Sequence, residues 1–471
     1  MHPHVSRPRP RLCEAVSDFE PEVLLVVGRE TPLCCRCASA MRGRAYRVCM
    51  HNPPSMRATT FRPRQLRDIA SISIYVAAAF LAVLYPRPLQ WMTVSDFLLL
   101  LAAFFLAPSL GRLRFVTAIQ KGYILSVALI VVGGAVASLA ASDSALGLSN
   151  VLKLCVSAGV MILVVAAWQP SSSELRRVLL LVMASGLTSG VWALSHSSAG
   201  SGRPDGLSGH PNHLALVALL SLGPALALAA LGSSTRRRII GVVVASTLLG
   251  AIVVSGSRSG LIGFAIECLL GLFLFRRSYS TKVVVIASVA LLAVAVFASS
   301  ALSPENAVTR LFHPSSQSAS VSDVDRRSRL TEMINEIERH PVRGNGFADP
   351  LKGHNAYLQL WAAAGLLGFI GGVGVLASTG LALWRARIRD ANADERSVGW
   401  PLAASSLGLA GALVAMGFQN LLWVRYVWFV VAVVAASSVA ALGGALESRS
   451  RTTAASENVD VTPTSPSGPH G

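Results

Sequence analysis

The residues best suited to chemistry in this sequence are cations and histidines set at the ends of apolar segments. Ser255-Gly256-Ser257-Arg258-Ser259-Gly260 reads as a tight turn between two apolar runs, placing a guanidinium beside the backbone N–H groups that open the next helix. Guanidinium and helix N-terminus together suit phosphate oxygens. An arginine snorkelling to lipid headgroups fits the same residue. Arg326, Arg327 and Arg329 form a second group, with Arg326 four residues before Leu330 and Arg329 four before Met333, so that the two flank the apolar stripe of a short helix. They fit a clamp for an anion held at a bilayer surface, or a basic interfacial helix touching anionic lipid. The third group is His354-Asn355, directly before an apolar run that begins near Tyr357. The helix macrodipole disfavours the charged imidazole there, which leaves a neutral ring able to accept a proton. A histidine that is simply hydrogen-bonded is the alternative, and His196, His210, His213, His313 and His340 compete for the same role.

A fourth element, Arg203 to Asn212, has glycines and a proline that fix a turn, with Asn212 suited to cap the helix that follows. Arg203 is compatible with either a structural or an anion-binding part. Glu267 is an acid inside an apolar run and a functional candidate on that ground; a hydrogen bond to a neighbouring helix would equally account for it. Five of the seven cysteines (Cys13, Cys34, Cys35, Cys37, Cys49) precede the first apolar run, and Cys155 and Cys268 lie inside such runs. Adjacent thiols lack the spacing of a zinc site and no matched second half follows, so neither a disulfide framework nor a metal is expected.

These residues must be positioned by helices in lipid. Hydrophobic residues make up 52% of the chain and charged residues only 14%, too little polar material to coat a soluble globule of 471 residues. The formal charge of +17 sits in short clusters between apolar runs rather than in one patch with aromatics, which argues against nucleic acid as a partner. A spanning helix needs about 20 apolar residues. Such stretches fall near 69–85, 94–110, 122–141, 151–168, 178–195, 212–231, 239–255, 260–275, 283–302, 357–383, 400–418 and 421–443. The expectation is an all-α polytopic membrane protein with about twelve transmembrane helices, each of about 20 residues.

Arginine and lysine are retained on the cytoplasmic side of short loops, and alternate loops differ sharply: Arg236 to Arg238, for example, against Arg258 alone. Both termini are then cytoplasmic. Residues 1–68 form a basic extension, in which Met56 is a plausible start; 69–302 hold spans one to nine, and 303–356 form a long extracytoplasmic loop. Spans ten to twelve follow over 357–446, and 447–471, rich in Ser, Thr and Pro, read as a disordered tail. Within the loop, Leu330, Met333, Ile334 and Ile337 follow helical spacing, Ser322 or Asp325 could cap the start, and His340-Pro341 marks the end.

Taken together, these segments resemble the O-antigen ligase and O-antigen polymerase superfamily of bacterial membrane glycosyltransferases. Gly206 to Asn212 is similar to its glycine-to-Pro-Asn segment, and Ser257-Arg258-Ser259-Gly260 to its Ser-Arg-small motif. The order Arg326, His340-Pro341, Gly344-Asn345-Gly346, His354-Asn355-Ala356-Tyr357-Leu358 and Gly365-Leu366-Leu367-Gly368 resembles its long loop and following helix. Leu330 stands where the family often carries tryptophan.

The resemblance implies a bacterial plasma-membrane enzyme that moves a glycan from a polyprenyl pyrophosphate carrier to a hydroxyl of a glycan, lipid or protein acceptor, with no cofactor. His354 would act as base, Arg258, Arg326, Arg329 and Arg203 would hold pyrophosphate, and Asn355, Asn212 and Ser257 would support them. A repeat-unit polymerase of the same superfamily, a lipid-linked glycan flippase, and a glycosyltransferase using Asp323 or Asp349 are the competing readings.

Overall fold

A helix that is apolar on every side has no face to offer water and settles inside a bundle, whereas one apolar stripe leaves a second face for another solvent. Both kinds occur in the computed structural model, which describes residues 63–83, 93–112, 116–196, 203–275, 307–308, 317–348, 354–389, 399–419 and 424–457. The helices are α1 (Pro63–Ala79), α2 (Val94–Leu106), α3 (Ala118–Leu139), α4 (Ser144–Leu154), α5 (Met161–Trp168), α6 (Ser172–Ser195), α7 (Pro211–Leu231), α8 (Thr235–Val254), α9 (Arg258–Leu274), α10 (Gln317–Arg339), α11 (Ala356–Arg389), α12 (Trp400–Met416) and α13 (Arg425–Glu457). A π-helical stretch, Cys155–Val160, joins α4 to α5 in one continuous rod.

α7 is buried from Leu214 through Ala230, and α12 is buried along nearly its whole length. With the first half of α13 they form the interior, against which α6, α8 and α9 pack. α3 and α8 bury one stripe and turn Leu125, Val132, Val136, Ile239 and Val243 outward, as lipid-facing surfaces do. Small residues bring helices close: a Cβ on Gly371 of α11 would sit 2.6 Å from Ser126 O of α3, the close backbone approach typical of membrane helix pairs.

Among the described residues, eight helices are long and apolar enough to cross a membrane: 94–111, 118–139, 144–168, 172–195, 211–231, 235–254, 356–387 and 425–443. α1, α9 and α12, with 17 residues each, are shorter. The expected ninth span, 283–302, lies outside the described residues, as do residues 1–62 of the N-terminal extension with its five cysteines, and His313 and Asp349; residues 63–68 of that extension belong to α1.

Three boundaries differ from the sequence reading. The loop helix α10 begins at Gln317, so neither Ser322 nor Asp325 caps it; both lie within it. Of its expected apolar stripe only Met333 is fully buried, while Leu330 and Ile334 stay 40% and 42% exposed. The tail expected to be disordered from residue 447 is helical through Glu457, because Ala, Glu and Arg between 445 and 457 continue a helix already nucleated upstream.

The third difference matters most for the site. α11, expected as one uninterrupted span, is broken at Gly365, whose φ and ψ are 64° and −158°. The break strands backbone groups in the bundle, and residues 342–346 satisfy them. Asn345 N donates to Ala362 O (2.8 Å), Gly346 N to Ala363 O (2.9 Å), and Leu366 N to Val342 O (3.0 Å). Gly344 and Gly346 also have positive φ, 79° and 88°. A Cβ on Gly365 would collide with Val342 O, and one on Gly344 with Gly365 N. Only glycine serves at these crossings.

Gly365→Ala should therefore cost at least ~2 kcal/mol, from a strained positive φ plus the steric clash. It should lower both the folded yield and the thermal unfolding midpoint of detergent-solubilised protein. Gly380→Ala, where a Cβ meets nothing within 4 Å, is the control expected to leave both unchanged.

Candidate active site

Arg258 is placed by its turn. Gly256, at φ 66°, lets the chain reverse after α8, and Ser257 caps α9 by accepting from Gly260 N (3.3 Å). Arg258 is thus the first residue of α9, with 16% of its side chain exposed. Behind it, Gln419 Nε2 donates to Ser257 Oγ (3.0 Å) and to Ser259 Oγ. All three side chains are buried, so the turn rests on a polar support from the segment after α12.

The guanidinium of Arg258 meets Asp323 of α10 through two parallel hydrogen bonds. Nη1 donates to Oδ2 (3.1 Å), and Nη2 donates to Oδ1. Such forked pairing fixes orientation as well as charge. Arg326, one helical turn on, approaches the same carboxylate at 3.8 Å.

His354 precedes α11 and is held there by Asn355, whose Oδ1 caps the helix by accepting from Tyr357 N (3.0 Å) and Leu358 N (3.1 Å). The imidazole Nε2 lies 3.7 Å from Asp325 Oδ2. Burial pushes its pKa below the ordinary histidine value, and nearby Arg326 and Arg329 push the same way, against Asp325. The ring is therefore neutral near pH 7 and free to take a proton.

Arg258, Arg326 and His354 thus meet across α9, α10 and α11, linked by two acids of α10. Arg326 lies between the other two, close to Asp323 and near enough to His354 to depress its protonation. Arg329 occupies the outer part of this face, ion-paired to Asp325 (3.7 Å) and Glu332 (3.5 Å) and 42% exposed. Arg327 is exposed.

The fourth element contributes differently. Arg203 Nε donates to Ser255 O (2.8 Å) and Nη2 to Asn212 Oδ1 (3.2 Å), so it fastens the segment before α7 to the Arg258 turn. Asn212 does not cap α7, as its sequence position implied. The helix starts one residue earlier, at Pro211, and His210 is the cap, its Nδ1 accepting from Asn212 N (3.1 Å). Proline at the first helical position was the available signal. Burial and Arg203 lower the pKa of His210 against the pull of Asp205, in keeping with a ring that must stay an acceptor at Nδ1.

The other histidines lie apart. His196 stacks on Trp192 at the end of α6, ring centroids 4.2 Å apart. His213 packs against His210 and Tyr426, and His340 receives Gly344 N at the end of α10. Glu267 is fully buried nine residues along α9 from Arg258, about 14 Å deeper, where it fills the space left by Gly411 of α12. Its carboxyl oxygens have no hydrogen-bond partner among the described residues.

Asp323 is the central residue that sequence reasoning valued only as an alternative base. Its spacing from Arg326 hinted at a pair within one helix, but nothing local signalled a partner 65 residues earlier.

Residues 242–372 match the family described as O-antigen ligase. No curated protein matches the chain. The matched segment runs from within α8 to just past the break in α11 and contains Arg258, Asp323, Arg326 and His354. The chain is a multi-pass membrane protein that carries, over residues 242–372, a segment similar to the O-antigen ligase family.

Proposed function

We propose that the protein transfers a glycan from a polyprenyl pyrophosphate carrier to an acceptor hydroxyl at the outer face of a bacterial plasma membrane, both termini being cytoplasmic. The observation that carries this reading is the meeting of Arg258, Arg326 and His354, from three separate elements, around the acids of α10. The O-antigen ligase match supports the same chemistry.

In the transfer, the acceptor oxygen attacks the anomeric carbon, the bond from that carbon to the phosphate oxygen breaks, and the pyrophosphate leaves with the electron pair. Arg258, at a helix N-terminus, and Arg326 face the charge that grows on it; one preorganised donor of this kind is worth about 3 kcal/mol. His354 takes the acceptor's proton, and Asp325 stabilises the imidazolium that forms. Arg329 extends the cationic face outward. Arg203, Asn212, Ser257 and Asn355 hold the backbone that presents these groups.

Asp323 occupies Arg258 at rest. The carboxylate oxygens stand where phosphate oxygens would sit, so a donor must exchange one anion for another. Asp323, held by the forked pair, and Asp325, shared by Arg329 and His354, are both less suited to serve as base than the neutral imidazole.

A broken helix is also a transporter feature, and so favours the flippase reading. In α11, however, the freed backbone groups are taken by the chain's own residues 342–346 and are not available to a passenger.

The decisive experiment is transfer from a polyprenyl-pyrophosphate oligosaccharide by purified protein in EDTA, scored as release of carrier pyrophosphate. Arg258→Ala should reduce the rate by about 10² to 10³, and His354→Ala by about 10² to 10⁴. Translocation without release, indifferent to His354→Ala, would establish the flippase instead.

The rate should rise with pH through a single inflection below histidine's ordinary value and then stay level, because the protonated imidazole cannot act as base. Loss of that limb in His354→Ala, at whatever residual rate remains, assigns it.

Asp323→Asn should tighten binding of inorganic pyrophosphate by roughly tenfold in calorimetry, since one charge-assisted competitor is removed. Weaker binding would make Asp323 an orienter of Arg258 rather than its resting counter-ion.

A further inference from the structure

Arg425 is the outlying arginine that the transfer chemistry leaves unused. It opens α13, and its guanidinium pairs with Asp96 near the start of α2. Asp96 also accepts from Thr93 N (2.7 Å) and Thr93 Oγ1 (2.8 Å), closing the cap of α2. The two residues stand at the mouth of a groove of about 390 Å³.

The wall of that groove is almost wholly apolar: Leu99 and Leu100 of α2, Leu152 of α4, and Met161 and Val164 of α5. The π-helical stretch supplies Val156, Ser157 and Val160. Leu152 is 64% exposed, and Leu100 and Val156 are each 36% exposed, so the groove opens sideways toward the surroundings of the bundle. π-Helical turns are uncommon and concentrate at functional positions. Here the widened turn forms part of the groove's wall.

The mouth is cationic. Lys153 and Arg425 outnumber Asp96 among the charged lining residues, and α2 and α13 both direct their N-termini there. Lys153 gives one hydrogen bond, to Asn150 Oδ1 (3.1 Å), which leaves two ammonium N–H groups for oxygens. A ligand that matches both parts has an alkyl chain and an anionic head.

We propose that this groove is a binding site for an anionic glycerophospholipid, one acyl chain lying along α2 and the π-helical turn and the phosphate resting at Lys153 and Arg425. The site is separate from the Arg258 network and independent of the transfer chemistry. Its volume is at the low end of the range of about 300–1,000 Å³ usual for ligand pockets, room for chain and not for a second copy of a helix.

The test is native mass spectrometry of the full-length protein released from nanodiscs of phosphatidylcholine doped with phosphatidylglycerol. Wild type should retain phosphatidylglycerol in preference to phosphatidylcholine. Val160→Trp, which fills the groove, should abolish that retention, while Val243→Trp on the outward face of α8 should keep it. Lys153→Gln, an exposed change that does not disturb packing, should lower the preference roughly fivefold, the effect of one basic residue near an anionic headgroup. Equal retention of both lipids by wild type, or retention unchanged in both Val160→Trp and Lys153→Gln, would overturn the proposal. So would finding a polyprenyl phosphate lipid in place of the phospholipid in protein taken directly from cell membranes.

Discussion

The docking of residues 342–346 into the break of α11 is the constraint on which the rest of the site depends. A helix interrupted inside a bundle leaves N–H and C=O groups that lipid cannot satisfy. Here three backbone hydrogen bonds from a loop take their place. That loop directly follows α10, and His354 and Asn355 precede the first half of α11. One local repair of backbone hydrogen bonding thus fixes both the end of the arginine-bearing helix and the start of the histidine-bearing one. Gly344 and Gly365, both at positive φ, make the repair possible, since a side chain on either would push the two stretches of backbone apart, while Gly346 lets the loop lie against the end of α3.

Upon that frame the charges are arranged in alternation: Arg258, Asp323, Arg326, then His354, Asp325, Arg329. The alternation resolves a problem that any cation-lined site faces before its ligand arrives. Arginines held close together repel one another, and their burial is costly without partners. The two acids of α10 let the cations be assembled in advance and keep them oriented. Burial above all, with Arg326 and Arg329, outweighs the pull of Asp325 and holds the imidazole's pKa below its ordinary value.

Much of this was legible in the sequence because lipid imposes simple rules. Runs of about 20 apolar residues reveal spanning helices, and arginines away from the basic clusters stand out against the charge bias of the loops. Arg258 was singled out that way, and His354 by its place directly before an apolar run. What stayed hidden involves either single residues or long separations. Gly365 sits in an apolar run whose composition gives no sign of a break. The start of α10 lies in a Ser-rich stretch, Gln317 to Ser322, whose helical state depends on the residues that follow it. The Arg258–Asp323 pair joins points 65 residues apart, and the polar support of Gln419 comes from 160 residues further on. The cap of α7 was misjudged by two positions, Asn212 for His210, because proline, not asparagine, decides where α7 begins.

The π-helical stretch has a consequence for how this chain tolerates change. Such a stretch carries an extra residue relative to an α-helix, and each residue turns a helix by about 100°. α4 and α5 are therefore one rod whose sequence pattern slips by one residue at the π turn while both ends keep their neighbours: α4 meets α3 and, through Asn150, the carbonyl of Phe347, and α5 meets α2 and α13. Deleting one residue between 155 and 160 would restore a regular helix with both faces still seated, and only the widened turn would be lost. The π turn is the point at which this rod tolerates a change of length.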